Sequence, residues 1–307
     1  MKIGYPCINW SLECKGNRTF RLRSYSVKRL KETVENNLDC LFKILKYNLD
    51  HNILFFRISS DLIPFASHPV CKFKWQRFYR KEFKKIGDFI KKYKMRISMH
   101  PDQFVIINSP DKKVLARSIK ELSYHAAILG AIGLDASAKI QLHVGGKYLD
   151  KEKSLKSFIE RYQKLSPSIK KRLVIENDDK IYNVADCLRV HRQTRVPILF
   201  DVFHHSINPS NLNLTKILQK IKKTWKKKDG ILMVDYSYQQ QGKMKGSHAT
   251  SINIKDFKKF LKLSRPFDFD IMLEIKDKEK SAVKAIKTAK SDKRFIKRVI
   301  LKKEGEI

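Results

Sequence analysis

Long apolar runs and glycine-rich phosphate turns are both missing from this 307-residue sequence. No apolar run approaches the roughly 18 residues that a membrane-spanning helix needs, and residues 1–10 lack the pattern of a signal peptide. Hydrophobic residues still make up 42% of the chain, enough for a buried core, so general disorder is excluded. We therefore expect a soluble protein of the cytoplasm that does not interact with membranes.

Cysteines are few and scattered. The five of them form no C-x-x-C pair, which argues against a disulfide scaffold and against a structural zinc site. A reducing compartment is the simplest setting for such a set. Their positions are Cys7, Cys14, Cys40, Cys71 and Cys187.

Acidic residues are scarce relative to basic ones. There are 31 Asp and Glu against 66 Lys and Arg, a formal net charge of +35. The basic residues recur along the whole chain, and any single run is most simply a solvated helix face. An excess of this size repels itself unless a polyanion is nearby, so nucleic acid is the favoured partner and an anionic membrane surface the weaker alternative.

Short apolar runs alternate with longer amphipathic stretches, which predicts parallel strands with crossover helices. In the first amphipathic stretch Leu30, Val34, Leu38, Leu41 and Leu45 recur at helical spacing. Eight repeats, with no G-x-G-x-x-G turn after the first, favour a (β/α)8 TIM barrel over an open dinucleotide-binding sheet. No linker is rich in Gly, Pro or Ser, so we expect one domain over 1–307, and a monomer. The predicted strands are 2–7, 54–60, 96–101, 139–145, 172–177, 198–204, 231–237 and 269–276.

Polar residues collect where these strands end, and in such barrels the active site lies at that end. One histidine alone is more often a hydrogen-bonded rim residue, and Asp201 alone could cap the next helix. Helix caps alone do not explain so many polar residues at strand ends. The other four histidines, His51, His125, His191 and His205, are given no role. The set comprises Tyr5, Asn9, His68, His100, His143, Glu176, Asp201, His204, Asp235, His248 and Glu274.

Five histidines with four carboxylates suit borderline divalent ions such as Zn²⁺ or Mn²⁺ better than Mg²⁺, which prefers oxygen ligands. Nine ligands exceed the needs of one ion, so we expect two or three ions and a bridging carboxylate. Ions close together support in-line displacement at phosphorus, one activating water and another stabilising the leaving oxygen. In a chain of charge +35, this predicts a nuclease.

Six motifs in this order resemble the UV damage endonuclease family, a relative of endonuclease IV on the same barrel. They are GYPCIN, FRISSDLIPFASH, SMHPDQF, LHVGG, VIENDD and FDVFHH, within residues 4–205. The resemblance implies a metal-dependent enzyme that nicks damaged double-stranded DNA immediately 5′ to cyclobutane dimers and 6-4 photoproducts, and cuts abasic sites. The products would carry a 3′-hydroxyl and a 5′-phosphate. Manganese is the expected ion, with Zn²⁺ or Mg²⁺ as alternatives.

The resemblance also implies roles for the strand-end residues. His100, His143 and Glu176 would form one metal site. Glu176 would bridge to a second site, completed by Asp201, Asp235 and Glu274. His204 and His248 would form a third site, and His68 would lie near the scissile phosphate; Glu176, His68 and His143 are the expected catalytic residues.

Lesion recognition is expected at a separate set of residues. The resemblance implies that Gln103 and Phe104 are pushed into the duplex, and that Tyr5 and Asn9 line the lesion side. From the residues alone, Phe104 in QFVII would be a core residue.

Two departures from the family pattern stand out. Many members have Lys-x-His on the seventh strand, with the lysine modified near the metals, where this chain has Met233 and Asp235. The inserted aromatic is often Tyr, so Phe104 lacks a hydroxyl and any hydrogen bond it made.

Two other classes of protein compete with this hypothesis. A divalent-metal sugar isomerase uses similar residues on the same barrel, but a small neutral sugar gives no reason for a charge of +35. A non-catalytic nucleic-acid-binding barrel would leave nine converging ligands unexplained.

Overall fold

The computed structural model describes residues 1–297, and its centre is a closed barrel of eight parallel strands. Each strand pairs with the next along the chain and β8 pairs with β1, which confirms the predicted (β/α)8 barrel. All eight predicted strands are present, each shorter than the apolar run that predicts it. The strands are β1 Ile3–Pro6, β2 Phe55–Ile58, β3 Arg96–Met99, β4 Lys139–His143, β5 Leu173–Glu176, β6 Ile198–Asp201, β7 Met233–Tyr236 and β8 Asp270–Leu273.

Helices lie between successive strands. Their bounds in residues 1–297 are α1 Val27–Asp50, α2 Trp75–Phe78, α3 Arg80–Lys92, α4 Lys112–Ala131, α5 Lys151–Lys164, α6 Pro167–Lys170, α7 Val184–Thr194, α8 Val202–Ile207, α9 Leu214–Lys222, α10 Ile254–Leu263 and α11 Glu279–Ala289. The predicted face of α1 is buried throughout, from Leu30 to Leu45. The stretch 75–93 divides into α2 and α3 at the buried Tyr79. No helix in this part of the chain is long and apolar enough to cross a bilayer.

The barrel interior contains an apolar layer of five residues, one from each of five strands. Side chains alternate along a strand, so the residue two positions on points to the same side, one layer nearer the carboxyl end. That residue is polar in every case. The layer, which we call the apolar plug, is Phe55, Val174, Leu199, Met233 and Met272; the polar residues above it are Arg57, Glu176, Asp201, Asp235 and Glu274.

Below the plug, at the amino ends of the strands, lies a second charged layer, which we call the floor. Lys139 Nζ lies 2.5 Å from Asp229 Oδ1, and Arg96 lies 3.5 Å from Asp270 Oδ2. Burial lowers the pKa of Lys139 to about 8, although Asp229 acts to raise it. The buried acids of the floor therefore have basic partners.

Cys14 and Cys40 form a disulfide that joins the loop after β1 to α1. A single bridge is not a disulfide scaffold, but the sequence argument did not anticipate this pair. Nothing in the spacing predicts the pair, because the fold of the loop onto α1 brings the two residues together. Cys7, Cys71 and Cys187 are free.

Candidate metal centre

Histidines and carboxylates converge at the carboxyl ends of β3 to β8. Within residues 1–297 they form three groups, in each of which one ligand atom per residue lies within 4.8 Å of the others. The groups share members, so together they make one continuous centre. They are His100–His143–Glu176, Glu176–Asp201–His204 and Asp201–Asp235–Glu274.

Glu176 is the common member of the first two groups. Its Oε2 lies 3.5 Å from Nε2 of His100 and 3.7 Å from Nε2 of His143, while Oε1 lies 3.1 Å from Nδ1 of His204. Burial acts to raise the pKa of Glu176, but the imidazole of His143 and those beside it hold it well below the usual value. The residue is therefore ionised and faces three nitrogen donors.

Asp201 serves both the fold and the centre. Its Oδ1 accepts a hydrogen bond of 2.6 Å from the backbone N–H of His204 and so caps α8. Its Oδ2 is buried and accepts no hydrogen bond. The helix cap expected of a lone aspartate is present, and one oxygen remains for a ligand.

Unpartnered atoms show that the residues present fit divalent ions. Oε1 of Glu176, Oδ2 of Asp201 and Oδ1 of Asp235 are buried without a hydrogen-bond partner. Leaving such atoms unpaired costs free energy, whereas a metal ion would satisfy them. Imidazole nitrogens with carboxylate oxygens are a donor set for Zn²⁺ or Mn²⁺.

Protons compete for the same atoms. Burial raises the pKa of Asp201 and of Asp235 well above the ordinary value, because neither carboxylate is solvated. Burial acts against the charge of His204, but Asp201 and Glu176 raise its pKa to about 11. An ion entering the centre would therefore displace protons.

His248 lies at the edge of the centre. Its Nε2 lies 3.9 Å from Oε2 of Glu274, and its ring centre lies 6.1 Å from that of His204. His204 also belongs to the group with Glu176 and Asp201, because α8 begins directly after β6. A third site formed by His204 and His248 stays a prediction.

His68 lies outside the three ligand groups. It is exposed, its Nδ1 accepts a hydrogen bond of 3.1 Å from the backbone N–H of Val70, and it lines a cavity of about 610 Å³ together with Phe104.

The predicted recognition residues divide into exposed and buried pairs. Gln103 and Phe104 are exposed, with Phe104 65% exposed, so Phe104 is not a core residue. Tyr5 and Asn9 are buried: Tyr5 donates to Oδ1 of Asn48 at 2.7 Å and accepts from Asn9 at 2.8 Å. The hydroxyl of Tyr5 therefore reaches α1 through Asn48, and the place of Tyr5 and Asn9 on the lesion side stays a prediction.

Three further residues of the mouth and its rim were not found by the sequence argument. Arg57 and Gln141 are buried beside Asp235, whose Oδ2 accepts hydrogen bonds from both, at 2.6 and 2.7 Å. Trp10 is 52% exposed, the large exposed aromatic of the loop after β1. Arg57 could have been found from its spacing, since it lies two residues after Phe55 on the interior side of β2.

Two cavities flank the centre and leave it open to a substrate. One of about 240 Å³ is lined by His100, His143, Gln103 and Lys180. The other, of about 290 Å³, is lined by His248, Glu274, Lys276 and Lys278.

A closed barrel with such a centre at its carboxyl-terminal mouth defines a TIM-barrel protein with a candidate metal site. The model of a family described as UV-endonuclease UvdE matches residues 1–302. The chain is 41% identical over 292 residues to the UV DNA damage endonuclease of Clostridium perfringens, covering 94% of this chain and 71% of that one. The crystal structure of SacUVDE superposes with a TM-score of 0.92 at 46% identity, covering 96% of this chain and all of that one. The chain therefore belongs to the UV-endonuclease UvdE family, and it is an enzyme.

More distant structures share the fold alone. Endonuclease IV from Thermus thermophilus has a TM-score of 0.55 at 10% identity, covering 81% of this chain and 92% of that one. A D-psicose 3-epimerase has a TM-score of 0.57 at 11% identity, covering 94% of this chain and 98% of that one.

Proposed function

We propose that this chain is a metal-dependent DNA repair endonuclease that nicks damaged duplex immediately 5′ to cyclobutane dimers and 6-4 photoproducts, and also at abasic sites. The single observation that carries the proposal is the set of unpartnered ligand atoms at the mouth of a barrel of this family. The net charge of +35 supports a polyanionic substrate.

The ligand groups would hold two or three divalent ions, and Mn²⁺ is the ion we expect. Bound ions supply a water nucleophile at neutral pH and stabilise the leaving oxygen. The protein's own contribution is to fix the donors: Glu176 bridges two groups, and His143 and His100 hold one side of it. Asp201, Asp235 and Glu274 complete the second site, and His204 and His248 are proposed to hold a third ion.

His68 is proposed to act outside the ligand groups, on the phosphate. Its exposed ring, beside the cavity that Phe104 also lines, can donate to a phosphate oxygen once DNA is bound. A histidine held there by the Val70 backbone has its free nitrogen directed away from the loop.

Lesion recognition is assigned to the exposed residues of two loops. A photodimer stacks and pairs poorly, so extruding it costs less than extruding normal bases. Gln103 and Phe104 would fill the vacated space, as wedge side chains do in other proteins. Besides these exposed residues, Tyr5 and Asn9 are proposed to line the lesion side, and the exposed Trp10, next to Asn9 in the chain, is a further candidate contact.

The test is a nicking assay on matched irradiated and unirradiated duplexes with Mn²⁺. The proposal expects nicks in the irradiated duplex alone, mapped to the 5′ side of the lesion, and none in excess EDTA. A shift in mobility without nicks would instead establish a binding protein.

A sugar isomerase on the same barrel remains the competing enzyme class. It would leave both duplexes intact and convert an aldose or ketose in the presence of Mn²⁺. The epimerase likeness shows only the barrel, and the charge of the chain gives it no support.

A further inference from the structure

Arg57 and Gln141 together contact three of the four carboxylates of the centre. Nη2 of Arg57 donates to Oδ2 of Asp235 at 2.6 Å, and Nη1 donates to Oε1 of Glu274. Nε2 of Gln141 donates to Oδ2 of Asp235 at 2.7 Å and to Oε2 of Glu176. The two side chains are themselves joined, since Arg57 Nη2 donates to Oε1 of Gln141 at 2.7 Å.

In each of the three carboxylates, Arg57 or Gln141 contacts one oxygen and not the other. One oxygen of Asp235 receives both donors, while its Oδ1 is buried and has none. For Glu274 the engaged atom is Oε1, which leaves Oε2 towards Nε2 of His248. For Glu176 the engaged atom is Oε2, which also faces His100 and His143, while Oε1 faces His204.

We infer that Arg57 and Gln141 are positioning residues: they occupy one oxygen of Asp235 and of Glu274 and so present the other as a metal ligand, and Gln141 also fixes the orientation of Glu176 through Oε2. This inference rests on the proposed metal centre. According to this inference, side chains from β2 and β4 orient the metal ligands that come from β5, β7 and β8. Neither residue is itself a ligand.

The chemistry of the two side chains suits this role. The guanidinium is planar and permanently charged, so it can bind two carboxylates in a fixed fork that a lysine ammonium does not reproduce. The orientation of the Gln141 amide follows from its partners: a flipped amide would direct its carbonyl at two carboxylates and its N–H₂ at a guanidinium. Arg57 is 3% exposed and Gln141 is fully buried, so solvent does not weaken these contacts.

Because Gln141 is neutral, a substitution of this residue tests whether the pair orients the carboxylates or only balances their charge. Gln141→Leu removes two donors to the carboxylates and leaves the charge of the centre unchanged. Arg57→Met removes donors and charge together, and Arg57→Lys restores the charge without the fork. Arg96→Met is the matched control, since Arg96 is another buried arginine, 6% exposed, paired with Asp270 at the floor.

The experiment measures Mn²⁺ stoichiometry and dissociation constants by electron paramagnetic resonance on the folded, full-length variants, with folding checked by near-UV circular dichroism. We expect Gln141→Leu and Arg57→Met to weaken Mn²⁺ binding by about 10- to 100-fold, the usual effect of losing a residue that orients a metal ligand. Arg57→Lys should recover only part of the loss, and Arg96→Met should bind as the parent does. If Arg57→Met does not fold, Gln141→Leu decides the question alone.

Parent-like Mn²⁺ affinity in Gln141→Leu would overturn the inference, as would an equal loss in Arg96→Met. Failure of the proposed function is a different result: the unmodified protein would then bind no Mn²⁺, or bind it without nicking DNA.

Discussion

The two charged layers inside the barrel differ in how their carboxylates are satisfied. Both are buried, and the apolar plug separates them. At the floor, Asp229 and Asp270 face Lys139 and Arg96. At the mouth there is one arginine for four carboxylates, and it contacts two of them, Asp235 and Glu274. Among residues 1–297, the buried carboxylate oxygens without a hydrogen bond all belong to mouth residues, Glu176, Asp201 and Asp235.

This difference teaches which layer serves stability and which serves function. A buried charge normally has a partner, and a layer that departs from this rule marks a site where the partner comes from outside. Strand β8 supplies a carboxylate to both layers, Asp270 at the floor and, four residues on, Glu274 at the mouth, so the opposite character of the layers is not a property of one strand.

The largest effect is expected at the residue shared by two ligand groups. Glu176→Gln keeps the size of the side chain but removes the charge that faces three imidazoles. Nicking should fall on the order of 10⁴-fold, as when one member of a catalytic unit is lost. DNA binding, measured by mobility shift, should be largely retained, because the basic surface is unchanged. Full activity in this variant would refute the bridging role.

At the floor the corresponding loss should appear in stability. Lys139→Met leaves Asp229 buried without its ammonium partner, which we expect to lower the free energy of unfolding by about 3–5 kcal/mol. The measurement is urea unfolding, with Mn²⁺ affinity determined on the folded protein and expected to be unchanged.

Lys84→Met is the control for that substitution. Lys84 pairs with Asp88 at 2.6 Å on the exposed face of α3, and such surface pairs contribute about 0–1 kcal/mol. Comparable losses in both variants would remove the distinction between the buried floor and the surface.

A third prediction tests whether the residues at the rim of the mouth act in lesion recognition and not in metal binding. Gln103→Ala combined with Phe104→Ala should reduce the preference for irradiated over unirradiated duplex by about 10- to 100-fold, since stacking contributes about 1–3 kcal/mol per base. Bound Mn²⁺ should not change, and Trp10→Ala should have the same pattern with a smaller effect. An equal loss of metal would place these residues in the centre rather than at the rim.

The smallest expected effect is a dependence of metal affinity on pH. Burial raises the pKa of Asp201 and Asp235, and neighbouring carboxylates raise that of His204, so all three hold protons that an ion must displace. Affinity for Mn²⁺ should therefore rise as pH rises, by about tenfold or more between about pH 6 and pH 8. Calorimetry in buffers of different ionisation enthalpy would count the released protons, and a flat profile would contradict the assignment.

Much of the centre was predictable because a barrel strand has a fixed period and a fixed direction. Apolar runs that end in His100, His143, Glu176 and Asp201 place those residues together once the strands are parallel. The ligand grouping of His204 was not predictable in detail, since it depends on where α8 begins.

Other features needed three-dimensional contacts. Arg57 and Gln141 act through partners on different strands, at separations along the chain that no local pattern reveals. The same is true of the bond between Cys14 and Cys40. The hydrogen bond of Tyr5 to Asn48 was likewise not predictable, because the position of Tyr5 in a motif does not tell on which side of β1 it lies.

The most direct test is anomalous diffraction from crystals of the protein soaked in Mn²⁺. We predict two or three manganese peaks at the mouth, each within coordination distance of a carboxylate oxygen or imidazole nitrogen of the three ligand groups, and none at the floor. Peaks confined to other surfaces, or none at saturating Mn²⁺, would contradict a metal centre built from these residues.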